Sequence, residues 1–398
     1  MIHRVKEVSV ILLALILYVG SPITFAEPTV EIGAIRMETE ANVPGVPGDT
    51  EDSLEAKVSE TEDHKQKKYE TVIAPIPSRN PLLGWVLGVP VMIMYKPANA
   101  DPQDQVWITG AFGFYTENDS WGAGLFQRSS FGGDKWRVMG ALFHADLNYD
   151  YYGIGSGGGD RSILLSQPTS LVMAEALRRI APSLYVGLRT VYAETEVRPD
   201  IPAEILPPWI SPEDLRVDFT IATLNPRLQY DTRDSEFYPK NGYFIDADVA
   251  ISRQGIGANA DYEKYDVSVN NYLPLGQSGV LASRLNIKYA DNDAPFFVYP
   301  AFGMGADLRG YQTGTYRDRF LIAAQAEYRH RFTPKIGAVA FAGVGSVAPD
   351  FAKWGTTLPS VGVGFRWVIA PKNDIGLRVD FARGRDESIF YVGIGEAF

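Results

Sequence analysis

From residue 71 onward the chain alternates. Along 243–252, Tyr243, Ile245, Ala247, Val249 and Ile251 share one face, and Phe244, Asp246, Asp248, Ala250 and Ser252 share the other. In 320–332, Phe320, Ile322, Ala324, Ala326, Tyr328 and Phe332 oppose Gln325, Glu327, Arg329 and Arg331. Near the end, Val361, Val363, Phe365 and Trp367 oppose Gly362, Gly364 and Arg366, and Leu377, Val379 and Phe381 oppose Arg378 and Asp380. A period of two belongs to strands, not to a helix of period 3.6. The segments run for about 9–13 residues, longer than an ordinary strand and close to a tilted membrane crossing. Their polar faces carry full charges of both signs, as a wet barrel interior does, and their apolar faces carry aromatic rings toward the ends. A soluble sandwich also alternates, but it needs neither that length nor a charged inner face.

The pattern predicts strands near 71–78, 83–96, 105–115, 120–128, 134–147, 167–178, 182–195, 216–231, 242–253, 260–272, 278–290, 319–332, 336–345, 359–369, 374–383 and 388–398. Links 179–181, 333–335 and 371–374 are short; links 148–166, 196–215, 291–318 and 346–358 are long, and they fall on the opposite side. Short periplasmic turns with long outer loops are the outer-membrane barrel pattern, and sixteen strands satisfy closure with both ends inside. Links 97–104 and 232–241 are longer than that rule prefers. The expected fold is therefore an all-β, transmembrane, antiparallel barrel of sixteen strands. Its opening strand carries Pro75 and Pro77 and should pair poorly with Phe390–Phe398, because proline cannot donate to a ladder.

Upstream, the organisation changes. Arg4 and Lys6, an apolar run from Val8 to Val19, and Thr24-Phe25-Ala26 read as a signal peptide cleaved after Ala26. The run is far short of the ~20 residues that span a bilayer. Residues 27–70 hold 12 acidic and 5 basic side chains and one aromatic, Tyr69. Such a segment buries too little to offset its ordering entropy and reads as a disordered acidic periplasmic arm. The expected domains are 1–26, 27–70 and 71–398.

Composition then removes chemistry. The chain has 398 residues, no cysteine, four histidines and a net charge of −11, much of it in the arm. That excludes disulfides, thiolate metal sites and a cysteine nucleophile, and it disfavours nucleic acid. The histidines show no metal spacing. Gly153–Gly158 spells a dinucleotide fingerprint, yet it opens no helix. No catalytic residue, metal or cofactor is expected, and the chain does not read as an enzyme.

Three runs stand out. In Asn225–Tyr243, Asp231, Arg233 and Asp234 can build a hydrogen-bonded turn whose backbone Pro239 and Gly242 set. In Gly303–Tyr311, Arg309 offers five donors, for which the lumen-facing Glu327 and Asp380 are candidate acceptors. At the end, Phe390, Val392, Ile394 and Phe398 fall on one strand face. In this order and spacing, over roughly 71–398, these runs resemble the BamA/TamA superfamily, also called the bacterial surface antigen family.

The resemblance implies that Leu308-Arg309-Gly310-Tyr311 tips an extracellular loop folded into the lumen, where Arg309 binds an inward carboxylate and the loop acts as a plug or strut. It implies that the C-terminal face is the signal read by the barrel-assembly machinery during the protein's own insertion. The implied location is the outer membrane of a Gram-negative bacterium, with the arm in the periplasm. Implied partners are outer-membrane lipids and a client polypeptide of unknown identity. The implied function is assisting insertion or translocation of proteins or lipids. Where such proteins carry polypeptide-transport-associated domains, only the acidic arm precedes this barrel, so a passive channel gated by the Arg309 loop, or a structural surface barrel, stays open.

Overall fold

A computed structural model describes residues 69–73, 75–80, 84–151, 163–199, 211, 215–295, 298–303, 307–311 and 316–398. The expected signal peptide, nearly all of the expected arm and the Gly153–Gly158 run lie outside them.

Seventeen strand segments form one antiparallel sheet: β1 (Tyr69–Ile73), β2 (Ile76–Asn80), β3 (Gly84–Tyr95), β4 (Trp107–Thr116), β5 (Trp121–Phe131), β6 (Trp136–Tyr151), β7 (Ile163–Ala181), β8 (Leu184–Pro199), β9 (Val217–Asp231), β10 (Gly242–Ser252), β11 (Tyr262–Leu275), β12 (Gly279–Ala290), β13 (Phe320–Arg331), β14 (Ile336–Ala348), β15 (Leu358–Ala370), β16 (Ile375–Arg383) and β17 (Ser388–Ile394). Both β1 and β2 pair with β3, at Val91–Tyr95 and Gly84–Gly88 respectively. They continue one register along β3 and are two halves of one strand, so the sheet has sixteen strand positions. Each of the sixteen predicted strands has its counterpart. No α-helix occurs among the described residues.

From β3 to β17 every strand pairs with its sequence neighbour. The sheet is not closed: β17 lies beside β2, but no paired register joins them among the described residues.

The faces are inverted relative to a soluble protein. Glu327 and Arg329 on β13 are 1% and 0% exposed, whereas Val363 on β15 and Phe381 on β16 are 60% and 51% exposed. Apolar side chains outside and paired charges inside are the faces of a membrane barrel.

On β6–β9 this inversion reverses part-way up. Lower down, Leu142, Val172, Leu188 and Leu224 face outward while the half-buried Glu175 and the buried Arg189 and Arg227 face inward. Higher up, Leu147, Leu165, Val197 and Ile221 form the buried inner cluster, and Glu194, Arg198 and Asp218 face outward. The strands thus continue past the apolar band as an ordinary sheet over an apolar interior. That explains why β6 and β7 reach Tyr151 and Ile163, well into the predicted 148–166 loop. The alternation changes sign there, which hides the strand from a pattern that expects apolar residues outside.

Candidate functional site

The lumen is filled from three directions, and one strand face meets all three fillers. That face is Gln325, Glu327, Arg329 and Arg331 of β13. From the extracellular side comes Asp307–Tyr311. Arg309 Nη1 donates to Asp380 (2.6 Å) and its Nη2 to Glu327 (2.6 Å), both fully buried. Its guanidinium also lies 3.4 Å from the centroid of Phe341. The two carboxylates proposed for Arg309 from sequence thus share one planar fork, the geometry for which arginine is suited.

The rest of the segment is pinned as well. Gln325 Nε2 donates to the Asp307 carbonyl (2.7 Å), Ser360 Oγ to the Arg309 carbonyl (2.5 Å), and Gly310 N–H to the Tyr391 hydroxyl (2.8 Å). Tyr311 Oη donates to the Pro359 carbonyl, and Leu308 and Tyr311 join Phe302, Leu321 and Leu358 in a buried cluster. Gly310 has φ +99°, and a Cβ there would lie 2.7 Å from Gly384 N, so only glycine fits. The wall beneath is cleared by small residues. A Cβ at Gly343 would meet Leu308 at 2.7 Å, and one at Gly364 would meet Asp380 Oδ1 at 2.0 Å.

The second filler is the segment after β17. Here the structure corrects the sequence reading. The last strand ends at Ile394 rather than Phe398, and Gly395, at φ +73°, redirects the chain inward. Phe390 is exposed on the outer face, Val392 is half-buried, and Ile394 and Phe398 are buried. The four residues therefore do not form one outward face. Phe398 packs inside with Phe244, Tyr272, Val280 and Ala282, where a large ring gains more than it would beside a short strand end.

Sequence reasoning also missed how far the ionic network extends. Arg329 Nε donates to Glu327 (2.6 Å), Arg366 Nη1 to Asp380 (2.5 Å) and Arg366 Nε to Glu396 (2.7 Å). Three guanidiniums and three carboxylates interlock. Arg329 and Arg366 do sit on the predicted polar face, but a period of two cannot say which inward groups meet across a lumen.

The third filler rises from the periplasmic side and contains the predicted turn. Asp231 accepts from Arg233 (2.9 Å) and Arg137 (3.2 Å). Asp234 Oδ1 accepts from the N–H groups of Lys240 (2.9 Å) and Asn241 (3.2 Å). Pro239 is buried, and Gly242 has φ +107° with Thr232 O only 2.3 Å from where a Cβ would stand. Tyr238 lies under Arg331, 3.7 Å from ring centroid to Cζ, and Arg233 lies over Phe244 at 4.0 Å. Glu236 pairs with Arg128. Burial opposes ionisation of Glu236, but the adjacent Arg128 holds its carboxyl below the ordinary range. On the neighbouring wall Arg227 bridges Glu175 and Asp246 (2.7 Å to the latter). Between these groups remains a cavity of about 120 Å³, lined by Met92, Phe126, Arg128, Glu175, Arg227 and Ile394 among others.

An unclosed sixteen-position barrel with an arginine-tipped loop in its lumen is matched by the Omp85 superfamily domain over residues 110–398. The chain belongs to the Omp85 superfamily. Similar solved structures include BamA from Haemophilus ducreyi lacking POTRA domains 1–3, at 14% identity and TM-score 0.54, covering 82% of this chain and 69% of that one. CdiB from Escherichia coli follows at 10% and 0.57, covering 83% and 63%. CdiB from Acinetobacter baumannii is similar at 11% and 0.50, covering 82% and 65%. The chain spans about two thirds of the length of these structures. No curated protein matches it. At such identities the likeness is one of fold: this is an Omp85-type outer-membrane barrel.

Proposed function

We propose that this Omp85 barrel assists insertion or translocation of polypeptides, or of lipids, at the outer membrane, with no catalysed bond chemistry. The observation that carries the reading is the seam. β2 and β17 lie side by side with no paired register among the described residues, the first strand comes as two segments, Tyr69–Ile73 and Ile76–Asn80, and β17 is short. Edge strands present unpaired N–H and C=O groups, a ready template for an incoming strand. The filled lumen weighs against a channel for small solutes, because Asp307–Tyr311 and Gly395–Phe398 occupy its centre. The Arg309 network is proposed as the strut that holds the loop while the seam moves.

The natural absence of cysteine makes the test clean. Cysteine pairs are placed along β2 and β17, and the protein is reconstituted in liposomes. Folding of a client barrel should be faster than in empty liposomes, should fall to the empty-liposome rate on oxidation, and should recover on reduction. Equal rates with and without the unmodified protein refute the proposal, as does full activity of the cross-linked form. Open, loop-independent conductance in planar bilayers would instead support the channel.

A further inference from the structure

The segment after β17 occupies a built pocket rather than merely ending a strand. Gly395 N–H donates to the Gly376 carbonyl (2.7 Å), and the chain then leaves the sheet. Nothing stands within 4 Å of a Cβ built at Gly395, so its left-handed φ, not crowding, favours glycine. Beyond this hinge three features are read separately. Arg366 Nε donates to the Glu396 carboxylate (2.7 Å). Arg329 Nη2 donates to the main-chain oxygen of Phe398 (2.6 Å). The Phe398 ring enters the cluster of Phe244, Tyr272 and Val280, with Arg329 over it at 5.6 Å. In an extended chain residues i and i+2 share a face, so an acidic residue and an aromatic two places later present both side chains together.

The pocket has capacity beyond this occupant. Arg329 Nη1, Arg366 Nη2 and the Tyr272 hydroxyl are buried without a hydrogen-bond partner among the described residues, a costly state that a ligand's acceptors would relieve. Val280, a wall of the ring cluster, also lines a cavity of about 440 Å³ beside the periplasmic turns, bounded by Tyr238, Lys240, Gly279, Arg331 and Phe332. An approach from the periplasm therefore passes two cations, Lys240 and Arg331, before reaching Arg329.

We propose that this lumenal pocket binds an extended acidic–any–aromatic segment of another polypeptide, and that Glu396–Phe398 is its resident occupant, displaced when that segment arrives. The inference rests on the reading that polypeptides reach this barrel from the periplasm, yet binding is measured separately from insertion. Displacement is feasible because the resident segment is held by side chains and lies outside the ladder.

The test uses the full chain in lipid nanodiscs and a fluorescent, end-capped peptide Gly-Glu-Ala-Phe, followed by anisotropy. Weakening the resident occupant with Glu396→Gln or Phe398→Ala should tighten peptide binding at least tenfold over the unmodified chain. Replacing the peptide's glutamate by glutamine, or its phenylalanine by alanine, should weaken binding at least tenfold. Val280→Trp, which fills the ring pocket from the position paired with Arg329 across β12 and β13, should abolish binding in a chain that still shows the native heat-modifiable band. Equal binding of all three peptides, or no gain in the weakened variants, overturns the proposal. Binding without accelerated client folding overturns the proposed function and leaves the pocket standing; accelerated folding without binding does the reverse.

Discussion

Arg309→Ala tests whether the lumenal loop is held by charge. The substitution removes both ion pairs, at 2.6 Å each, and the stack on Phe341. Leaving a buried charge unpaired typically costs ~3–5 kcal/mol. Here each carboxylate keeps a second guanidinium, Glu327 from Arg329 and Asp380 from Arg366, so the lower end, about 3 kcal/mol, applies. The lost cation–π contact adds roughly 1 kcal/mol. The loss falls on loop docking rather than on the ladder, because Arg309 lies outside every strand. A combined cost of about 4 kcal/mol shifts that equilibrium by nearly a thousandfold. Proteinase K digestion of the 298–319 region in outer-membrane vesicles should therefore speed up sharply, with a lower midpoint for loss of the heat-modifiable band. Arg309→Lys should recover part of the effect, since an ammonium keeps the charge but not the fork that spans both acceptors. In a double-mutant cycle, Arg309→Ala with Asp380→Asn should show coupling above ~0.5 kcal/mol, the usual limit of additivity. Unchanged digestion and melting in Arg309→Ala, or strict additivity in the cycle, would refute the strut.

Gly364→Ala puts a Cβ 2.0 Å from Asp380 Oδ1; overpacking of this kind costs ~1–3 kcal/mol, and the melting midpoint should fall, whereas an unchanged midpoint would show that the Asp380 carboxylate moves freely. Leu188→Lys places a charge on the apolar band and should lower stability by ~2–4 kcal/mol if it lies near mid-membrane, while Glu194→Lys, above the polarity reversal, should be close to neutral in the same urea titration; equal effects would misplace the boundary. The Glu236 carboxyl lies below its ordinary value of 4.5 through Arg128, so its contribution is complete above that pH and is lost as pH falls through the depressed value. Hydrogen-exchange protection of 232–241 should then hold above pH 4.5 and decline in acid, and Arg128→Ala should remove it at neutral pH; protection indifferent to acid would discount the pair.

Strand identity was legible because lipid and lumen impose opposite chemistries on alternate residues. Tyr328 against Glu327, and Phe381 against Asp380, needed no tertiary information. The predicted boundaries failed where that rule changes. On β6 and β7 the polarity reversal makes Leu147 and Leu165 inner residues and turns strand into apparent loop. At Gly395 a single left-handed residue rotates the following side chains, so Phe398 leaves the face it would occupy in a continued strand. Both carboxylates for Arg309 were readable from their parity. The roles of Arg329, Arg366 and Glu396 were not, because which inward groups meet depends on where three separate segments cross the lumen.

That crossing gives the network a mechanical meaning. A closed barrel is held by its ladder, since every strand has two partners; here the ladder stops at β2 and β17. Closure energy is missing at the seam, and the ionic cluster lies on the adjoining β13–β16 wall, where it ties the loop, the 395–398 segment and, through Arg331, the periplasmic turn to one strand face. Buried ion pairs add little net stability compared with well-packed apolar groups, so ladder strength is not what they supply. They fix position: the planar Arg309 fork donates to its two carboxylates along fixed directions. A wall made stiff by directional charges beside a seam with no paired register among the described residues concentrates any opening motion at β2 and β17. Neutralising the cluster should therefore spread the motion. In Arg329→Gln with Glu327→Gln, hydrogen exchange should rise across β13–β16, whereas in the unmodified protein fast exchange should be confined to β1, β2 and β17; a seam no faster than β14 in the unmodified protein would contradict this division of labour.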